Sequence, residues 1–187
     1  MSLPHALLIA LIEKPGSGLE LSAHFDDSIG RYWHTTHQQI YRELARLEAA
    51  GWVEATPVES ARGGKKEYRV LEAGREELRR WIAEPRDIEP YRNELMVRMR
   101  GEAALGPSGL APEIERRLQM HQARLAIYRG LEKSEFMGRD LPRPEALSYL
   151  ILKKGIMNEV TWIDWLKEVL RVLDEDRPQV PPKATKR

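Results

Sequence analysis

Residues 36–42 carry the side chains of this chain that are best suited to hydrogen-bond chemistry. The candidates for contact are Thr36, His37, Gln38, Gln39, Tyr41 and Arg42. Glutamine can pair with the edge of adenine and arginine with the edge of guanine, whereas a tyrosine hydroxyl can reach a backbone phosphate. Polar residues on an exposed helix face are more often merely solvated, so this segment alone leaves both interpretations open.

A second group of chemically interesting residues surrounds two adjacent glycines. Arg62, Lys65, Lys66 and Arg69 cluster there, and Glu67 is the one acid among them. A tight basic loop of this kind can follow a nucleic-acid backbone or insert a side chain into a minor groove. The alternative is a solvated turn that binds nothing.

Catalytic and metal chemistry find little support. The chain has no cysteine, which excludes disulfides, thiolate catalysis and cysteine-ligated metals. His34 and His37 stand three residues apart, but no third ligand and no nearby acid complete a metal site. We therefore expect a protein that needs no cofactor and is not an enzyme.

Overall charge gives no argument for a polyanionic partner. The 187 residues carry a formal net charge of +1, and residues 1–85 hold 11 lysines and arginines against 13 acidic residues. Any case for nucleic-acid binding must therefore rest on where the basic side chains lie. No apolar run approaches the ~18 residues of a membrane span, and the N-terminus lacks the basic flank of a secretory signal. We expect a cytoplasmic protein without membrane contact.

The first half of the chain must supply the elements that position these side chains. Apolar spacing and breaker residues predict helices over 4–13, 19–30 and 36–50, a turn at 15–18, strands at 52–55 and 67–70, and a helix over 73–83. In the third helix, Thr36 offers an N-cap, and Ile40, Leu44 and Leu47 form the inward face. A β-hairpin directly after a third helix is typical of a winged helix-turn-helix.

The second half predicts helices alone, over 92–104, 110–137 and 144–174. In the middle helix, a seam of side chains steps by four and three residues, as expected where helices pack nearly parallel. Its members are Ile114, Leu118, His121, Leu125 and Tyr128, of which His121 is an imperfect one.

Two apolar rows mark the last helix. One consists of Leu152, Ile156, Val160, Ile163, Leu170 and Leu173, and the other of Trp162, Trp165, Val169 and Val172. One row can cover a helix of the same chain, whereas the other then needs a second chain. We therefore expect a homodimer with Trp162, Trp165, Val169 and Val172 in its interface. Two tryptophans at this spacing could also sandwich a flat ligand, although large aromatics usually fill an interface.

These elements predict a mainly α fold with a small β-hairpin. We place a winged helix-turn-helix domain at 1–85, a helical, coiled-coil-like dimerisation domain at 86–176 and a disordered basic tail at 177–187.

The predicted third helix and the turn after it carry a resemblance to a known family. Residues 36–53, THQQIYRELARLEAAGWV, resemble the recognition helix of PadR-family regulators. Gly18-Leu19-Glu20-Leu21 and Leu71-Glu72-Ala73-Gly74-Arg75 also match, so the resemblance covers residues 4–84. The C-terminal half resembles, by pattern more than by motif, the virulence-activator branch, whose C-terminal helices form an antiparallel, coiled-coil-like dimer. His37-Gln38 replaces the family's commoner Pro-Gly pair, so base contacts cannot be transferred from phenolic-acid-responsive relatives.

The resemblance implies a dimeric, sequence-specific DNA-binding transcription regulator with a pseudo-palindromic operator. Its implied partners are double-stranded DNA and a second copy of the chain, and the sequence leaves open whether a small-molecule effector exists. The DNA-binding residues would be Thr36, His37, Gln38, Gln39, Tyr41, Arg42, Arg62, Lys65 and Lys66. The alternative is a winged helix that contacts an acidic protein partner and no DNA.

Overall fold

Helices dominate the chain, which divides into two units, Met1–Glu89 and Pro90–Arg187. The structure is a computed structural model, and it describes residues 3–27, 29–31, 33, 35–58, 65–87 and 92–175. Arg62 and His34 lie outside the described residues, and so does the tail predicted at 177–187.

Four α-helices and three short strands make up the described part of the N-terminal unit. In chain order they are α1 (Leu3–Glu13), β1 (Gly16–Ser17), α2 (Gly18–Asp27), α3 (His37–Ala49), β2 (Val53–Pro57), β3 (Lys66–Val70) and α4 (Glu72–Ala83). A 3₁₀ turn at Ile29–Arg31 follows α2, where the sequence predicted that the helix itself continues to residue 30. The predicted mainly α fold with a winged helix is confirmed.

The strands form one antiparallel sheet in the order β1, β3, β2. Val53 pairs with Val70 and Pro57 with Lys66, so the hairpin of β2 and β3 is longer than predicted. The predicted turn at 15–18 is wrong for β1, which pairs with β3. A Pro-Gly-Ser-Gly run is typical of a turn, and the strand that pairs with it lies far along the chain, where no local pattern can signal the pairing.

The core of the N-terminal unit holds α3 from one side. Ile40, Leu44 and Leu47 are each at most 2% exposed, and they pack with buried residues of α1 and α2. The other side chains of this core that are at most 1% exposed are Leu7, Leu8, Ala10, Leu11, Leu21 and Phe25. Burying one large apolar side chain stabilises a fold by about 1.5 to 3 kcal/mol, so the inward face of α3 is firmly anchored.

Helix α4 approaches the sheet so closely that one position admits only glycine. Just before α4, Leu71 N donates to Trp52 O at 2.9 Å. Gly74 lies over the same carbonyl, and a Cβ there would stand 2.4 Å from the Trp52 oxygen. Glycine is therefore required by contact with backbone that cannot easily move.

The C-terminal unit contains α5 (Glu94–Leu105), α6 (Ala111–Leu131) and α7 (Arg143–Glu175) in its described part. A π-helical turn at Glu132–Phe136 follows α6, where the sequence predicted one continuous helix. His121 of α6 contacts Glu159 of α7, and Glu132, in the π-helical turn after α6, accepts a hydrogen bond from Tyr149 Oη, which lies earlier in α7. These two helices therefore form an antiparallel hairpin.

The predicted α6 seam packs inside the chain, against α7. Ile114 is fully buried in a cluster with Leu95, Leu110, Leu166 and Val169. His121 stays in the seam because a buried carboxylate meets it: Nδ1 lies 2.5 Å from Glu159 Oε2. The side chain of Glu159 is 7% exposed, and Arg124 Nη1 lies 3.4 Å from its other oxygen.

Gly74→Ala should lower the free energy of unfolding of the N-terminal unit by about 1 to 3 kcal/mol, because the added methyl group overpacks against the Trp52 carbonyl. Gly101→Ala is the matched control: this glycine also lies in a helix, but a Cβ there would meet no atom within 4 Å. It should instead stabilise α5 by about 1 kcal/mol through helix propensity. Urea denaturation of both variants, followed by circular dichroism, measures the two signs, and equal effects would contradict the close approach at Gly74.

Candidate nucleic-acid interface

The first turn of α3 is fixed by a capping box. Thr36 Oγ1 accepts a hydrogen bond from Gln39 N at 3.2 Å, and Gln39 Oε1 accepts one from Thr36 N at 2.9 Å. Thr35 Oγ1 donates to the same Gln39 oxygen at 3.1 Å. Thr36 was predicted as an N-cap and as a contact residue, and the structure shows the cap, whereas Gln39 was expected to be open to a ligand but its side-chain oxygen serves the helix start. Such a cap typically contributes about 1 kcal/mol and fixes where the helix begins.

The outward face of α3 presents five of the predicted contact residues. His37, Gln38, Gln39, Tyr41 and Arg42 are all exposed, whereas Ile40 between them is buried. Gln38 and Arg42 stand four residues apart, so they project from successive turns of one face. Within the described residues, no carboxylate lies in salt-bridge range of Arg42. The structure thus brings these two residues together on an accessible surface.

Tyr41 lies on this surface in a slot that Gly18 leaves open. A Cβ at Gly18 would stand 2.4 Å from Tyr41 Cε1, so the first residue of α2 must be small for the ring to lie there. The Tyr41 side chain remains 47% exposed. The ring therefore lies against the start of α2, and nearly half of the residue's surface remains accessible.

The described basic residues of the wing, meaning β2, β3 and the segment between them, are paired with acids of the same unit. Lys65 Nζ lies 3.3 Å from Glu20 Oε1, and Lys66 Nζ lies 3.6 Å from Glu48 Oε1. Arg69 Nη2 donates to Glu54 Oε2 at 2.6 Å across the hairpin. The basic cluster predicted from the sequence is therefore largely neutralised within the fold.

Within the described part of the unit, Glu20 has more hydrogen-bond partners than Glu48 and Glu54, the other acids that pair with the wing. Its Oε2 accepts hydrogen bonds from Ser17 N at 2.8 Å and from Ser17 Oγ at 2.6 Å. These bonds from Ser17, followed by the interaction with Lys65, lower the pKa of Glu20 to about 2. The carboxyl group is thus ionised throughout the neutral range.

Three acids beside the candidate contacts were missed by the sequence analysis. Asp26 Oδ2 lies 3.5 Å from His37 Nε2, and the others are Glu20 and Glu48. The spacing of Ser17 and Glu20 is the sequence signature of a capping box, which could have revealed why Glu20 is ordered. Its pairing with Lys65 has no local signal, because the two residues are far apart in the sequence.

In the C-terminal unit, the predicted interface residues fall into different environments. Trp162 and Trp165 are half-buried against the chain's own core, and Val169 lies within that core at 7% exposure. Val172 is 55% exposed. Trp162 stacks on His121 at 5.3 Å, and Trp165 meets the Trp162 ring edge-on at 82°, which is not the parallel arrangement of a sandwich.

Within the residues that the structure describes, no three histidines or acids come close enough to hold a metal ion. The possible partner of His37 in the histidine pair, His34, lies outside these residues. Among the described helices, none is both long and apolar enough to cross a membrane.

The fold and the outward face of α3 define a winged-helix transcriptional regulator, and the comparisons with known proteins give its family. Residues 7–80 match the Transcriptional regulator PadR-like family, and residues 91–174 match the Virulence activator alpha C-term family. The chain belongs to the PadR-like family of transcriptional regulators. The predicted resemblance is thereby confirmed in both halves, and membership also confirms that the chain is not an enzyme.

Two curated relatives align with nearly the whole chain. The "Probable transcriptional regulator Rv1176c" of Mycobacterium tuberculosis is 40% identical over 95% of this chain and 100% of its own length. The "Negative transcriptional regulator PadR" of Bacillus subtilis is 26% identical over 93% of this chain and 98% of its own length.

Two solved structures show the same architecture. Bacillus subtilis PadR in complex with operator DNA superposes with a TM-score of 0.79 at 25% identity, covering 91% of this chain and 97% of that one. The Vibrio cholerae virulence activator AphA superposes with a TM-score of 0.77 at 25% identity, covering 93% of this chain and 99% of that one.

Proposed function

We propose that this chain is a homodimeric, sequence-specific DNA-binding regulator that acts in the cytoplasm and recognises a pseudo-palindromic operator. The observation that carries the proposal is the exposed pair Gln38 and Arg42 on the outward face of a capped, core-anchored α3. Side chains of these two types on one helix face can read the edges of adenine and guanine in a major groove. The complex of the related Bacillus subtilis PadR with operator DNA supports this assignment.

The other residues proposed for DNA binding have supporting roles. Thr36 and Gln39 fix the helix start. His37 and Tyr41 lie next to Gln38 and Arg42, here called the reading pair, and can position this pair by contacting phosphates. Lys65 and Lys66, together with Arg62, would follow the backbone from the wing, which adds affinity but little sequence information.

One observation favours a second function, in which the winged helix binds a protein and not DNA. Every described basic residue from Lys65 to Arg69 is already paired with an acid of the same unit, which is the pattern of a wing without a polyanionic partner. A winged helix that contacts only another protein would tolerate such pairing. The salt dependence of DNA affinity separates the two functions.

The dimer proposal rests on an uncovered apolar face of α7. Residues at this face are more than half exposed although they are large and apolar: Leu147, Leu150, Ile151, Met157 and Val172. At about 100° per residue they fall within about one third of the helix circumference, together with Trp165. These apolar side chains recur along most of the helix, with exposed polar residues such as Lys154 and Thr161 between them, and a row of exposed large apolar side chains usually marks an interface. A second copy related by a two-fold axis would match a palindromic operator.

The proposed function divides between two domains and leaves room for a small-molecule effector. We place two domains at 1–85 and 86–176, as the sequence predicted, with DNA binding in the first and dimerisation in the second. A small-molecule effector is compatible with the fold, since Bacillus subtilis PadR also has a structure in complex with p-coumaric acid, although that chain is 24% identical.

Replacing Gln38 or Arg42 by alanine should erode sequence preference. If either residue makes a bidentate base contact, its loss costs about 1 to 3 kcal/mol on the selected operator and much less on random DNA. Operators selected from a random pool provide the cognate site for fluorescence titrations. Gln119→Ala on the exposed face of α6 is the control, and it should leave both affinities unchanged. Equal losses on cognate and scrambled DNA would contradict the base-reading role.

Lys65→Ala combined with Lys66→Ala should weaken binding to all DNA sequences to a similar degree. Each lost phosphate contact should flatten the plot of log affinity against log salt by about 0.9. Lys133→Ala combined with Lys167→Ala removes the same charge from the other unit, away from the proposed dimer face, and should leave the slope nearly unchanged. An unaltered slope in the wing variant would exclude these lysines from the interface and favour the protein-binding function.

The wild-type chain should be a dimer at micromolar concentration, and Leu150→Glu combined with Val172→Glu should make it a folded monomer. Both side chains lie on the uncovered face of α7, so the buried core between α6 and α7 stays intact. Light scattering measures the mass, and circular dichroism verifies the helices. Ile82→Glu in α4 is the control, because Ile82 is 67% exposed but lies in the N-terminal unit. A monomeric wild-type chain would disprove the dimer.

A further inference from the structure

Three candidate contact residues of the N-terminal unit are held by carboxylates of that unit. Lys65 is held by Glu20, Lys66 by Glu48 and His37 by Asp26. Carboxylate and phosphate bind an ammonium group through the same charge-assisted hydrogen bonds. A lysine engaged in such a pair must leave it, or share its protons, before it can contact DNA.

The Glu20 pair differs from the others in geometry. The Lys66 and His37 pairs span 3.6 and 3.5 Å between exposed side chains, and nothing else in the described structure is shown to orient the acids Glu48 and Asp26. Glu20 is anchored by Ser17, which is 4% exposed and donates two hydrogen bonds to one carboxylate oxygen. The other oxygen remains for Lys65 Nζ at 3.3 Å.

The hydrogen bonds from Ser17 leave Glu20 with two roles. Through Ser17 it caps the start of α2, and through Lys65 it holds the first residue before β3. Because the capping bonds fix the carboxylate, Lys65 meets a preorganised anion each time it returns from solvent. An acid on a freely rotating side chain would offer no such fixed competitor.

We propose that Glu20 is an intramolecular competitor for DNA phosphate, which holds Lys65 in the free protein and so lowers the affinity for every DNA sequence. This inference rests on the proposed DNA-binding function. Exposed ion pairs are weak, so the competition reduces affinity without abolishing it, by about two- to five-fold. Glu20 is thus a positioning residue that acts on DNA through Lys65.

Glu20→Gln tests the competition, because glutamine at this position of a capping box preserves the cap while it removes the charge. In the full-length chain, its affinity for a short duplex of random sequence at low salt should rise about two- to five-fold. The slope of log affinity against log salt should steepen by up to about 0.9, the value for one added phosphate contact. Circular dichroism verifies that the variant is folded.

The double variant Glu20→Gln with Lys65→Ala tests whether Glu20 acts on DNA affinity through Lys65. Removing Lys65 should cost more affinity in the Glu20→Gln background than in the wild type, and the gain should vanish. Glu67→Gln is the matched control, because Glu67 lies on β3, brings the same change of charge and forms no ion pair with any described residue. It should raise affinity clearly less than Glu20→Gln does.

Three results would overturn the inference. They are an unchanged affinity for Glu20→Gln, a gain that survives loss of Lys65, and an equal gain for Glu67→Gln, which would make the effect one of net charge alone. In each case wild-type DNA binding, and with it the proposed function, would stand. If neither the wild type nor Glu20→Gln bound any DNA, the proposed function would fail and the inference with it.

Discussion

The N-terminal unit depends on three apolar side chains of α3 being held in the core. Ile40, Leu44 and Leu47 fix the rotation of the helix about its axis, and the capping box at Thr36 fixes where it starts. With both set, the directions of all the polar residues between them follow from the helical period. The direction of the reading pair therefore depends on burial and not on any contact that the pair makes itself.

The helical period also explains why so much of this surface could be predicted from the sequence. The inward and outward faces of α3 are local properties, and the exposed positions agree with the prediction from residue 37 to residue 42. Strand β1 and the pairing of Lys65 with Glu20 could not be predicted, because both depend on partners distant in the sequence. Thr36 was predicted both as a cap and as a contact residue, whereas Gln39 was expected to face a ligand, although the spacing of Thr36 and Gln39 is the signature of a capping box.

The C-terminal helices show where a periodic pattern stops being informative. The period of α7 separates its apolar rows, but it cannot tell which neighbour covers each row. Val169 is covered by the chain's own core, in a cluster to which α5 contributes Leu95, whereas Val172, three residues later, is left exposed. The prediction that Val169 and Val172 share one interface did not account for the burial of Val169 by other helices of the same chain.

The polar pair inside the α6 and α7 hairpin has a consequence for how this sequence can evolve. Removing His121 alone would leave the buried Glu159 carboxylate with Arg124, at 3.4 Å, as its remaining described partner. Removing Glu159 alone would leave the partly buried His121 without its carboxylate, so each single change costs more than the intact pair contributes. Replacing both by apolar residues of similar volume could be neutral or stabilising. Single substitutions at either position are therefore unfavourable. Related sequences should either keep both residues or have changed both.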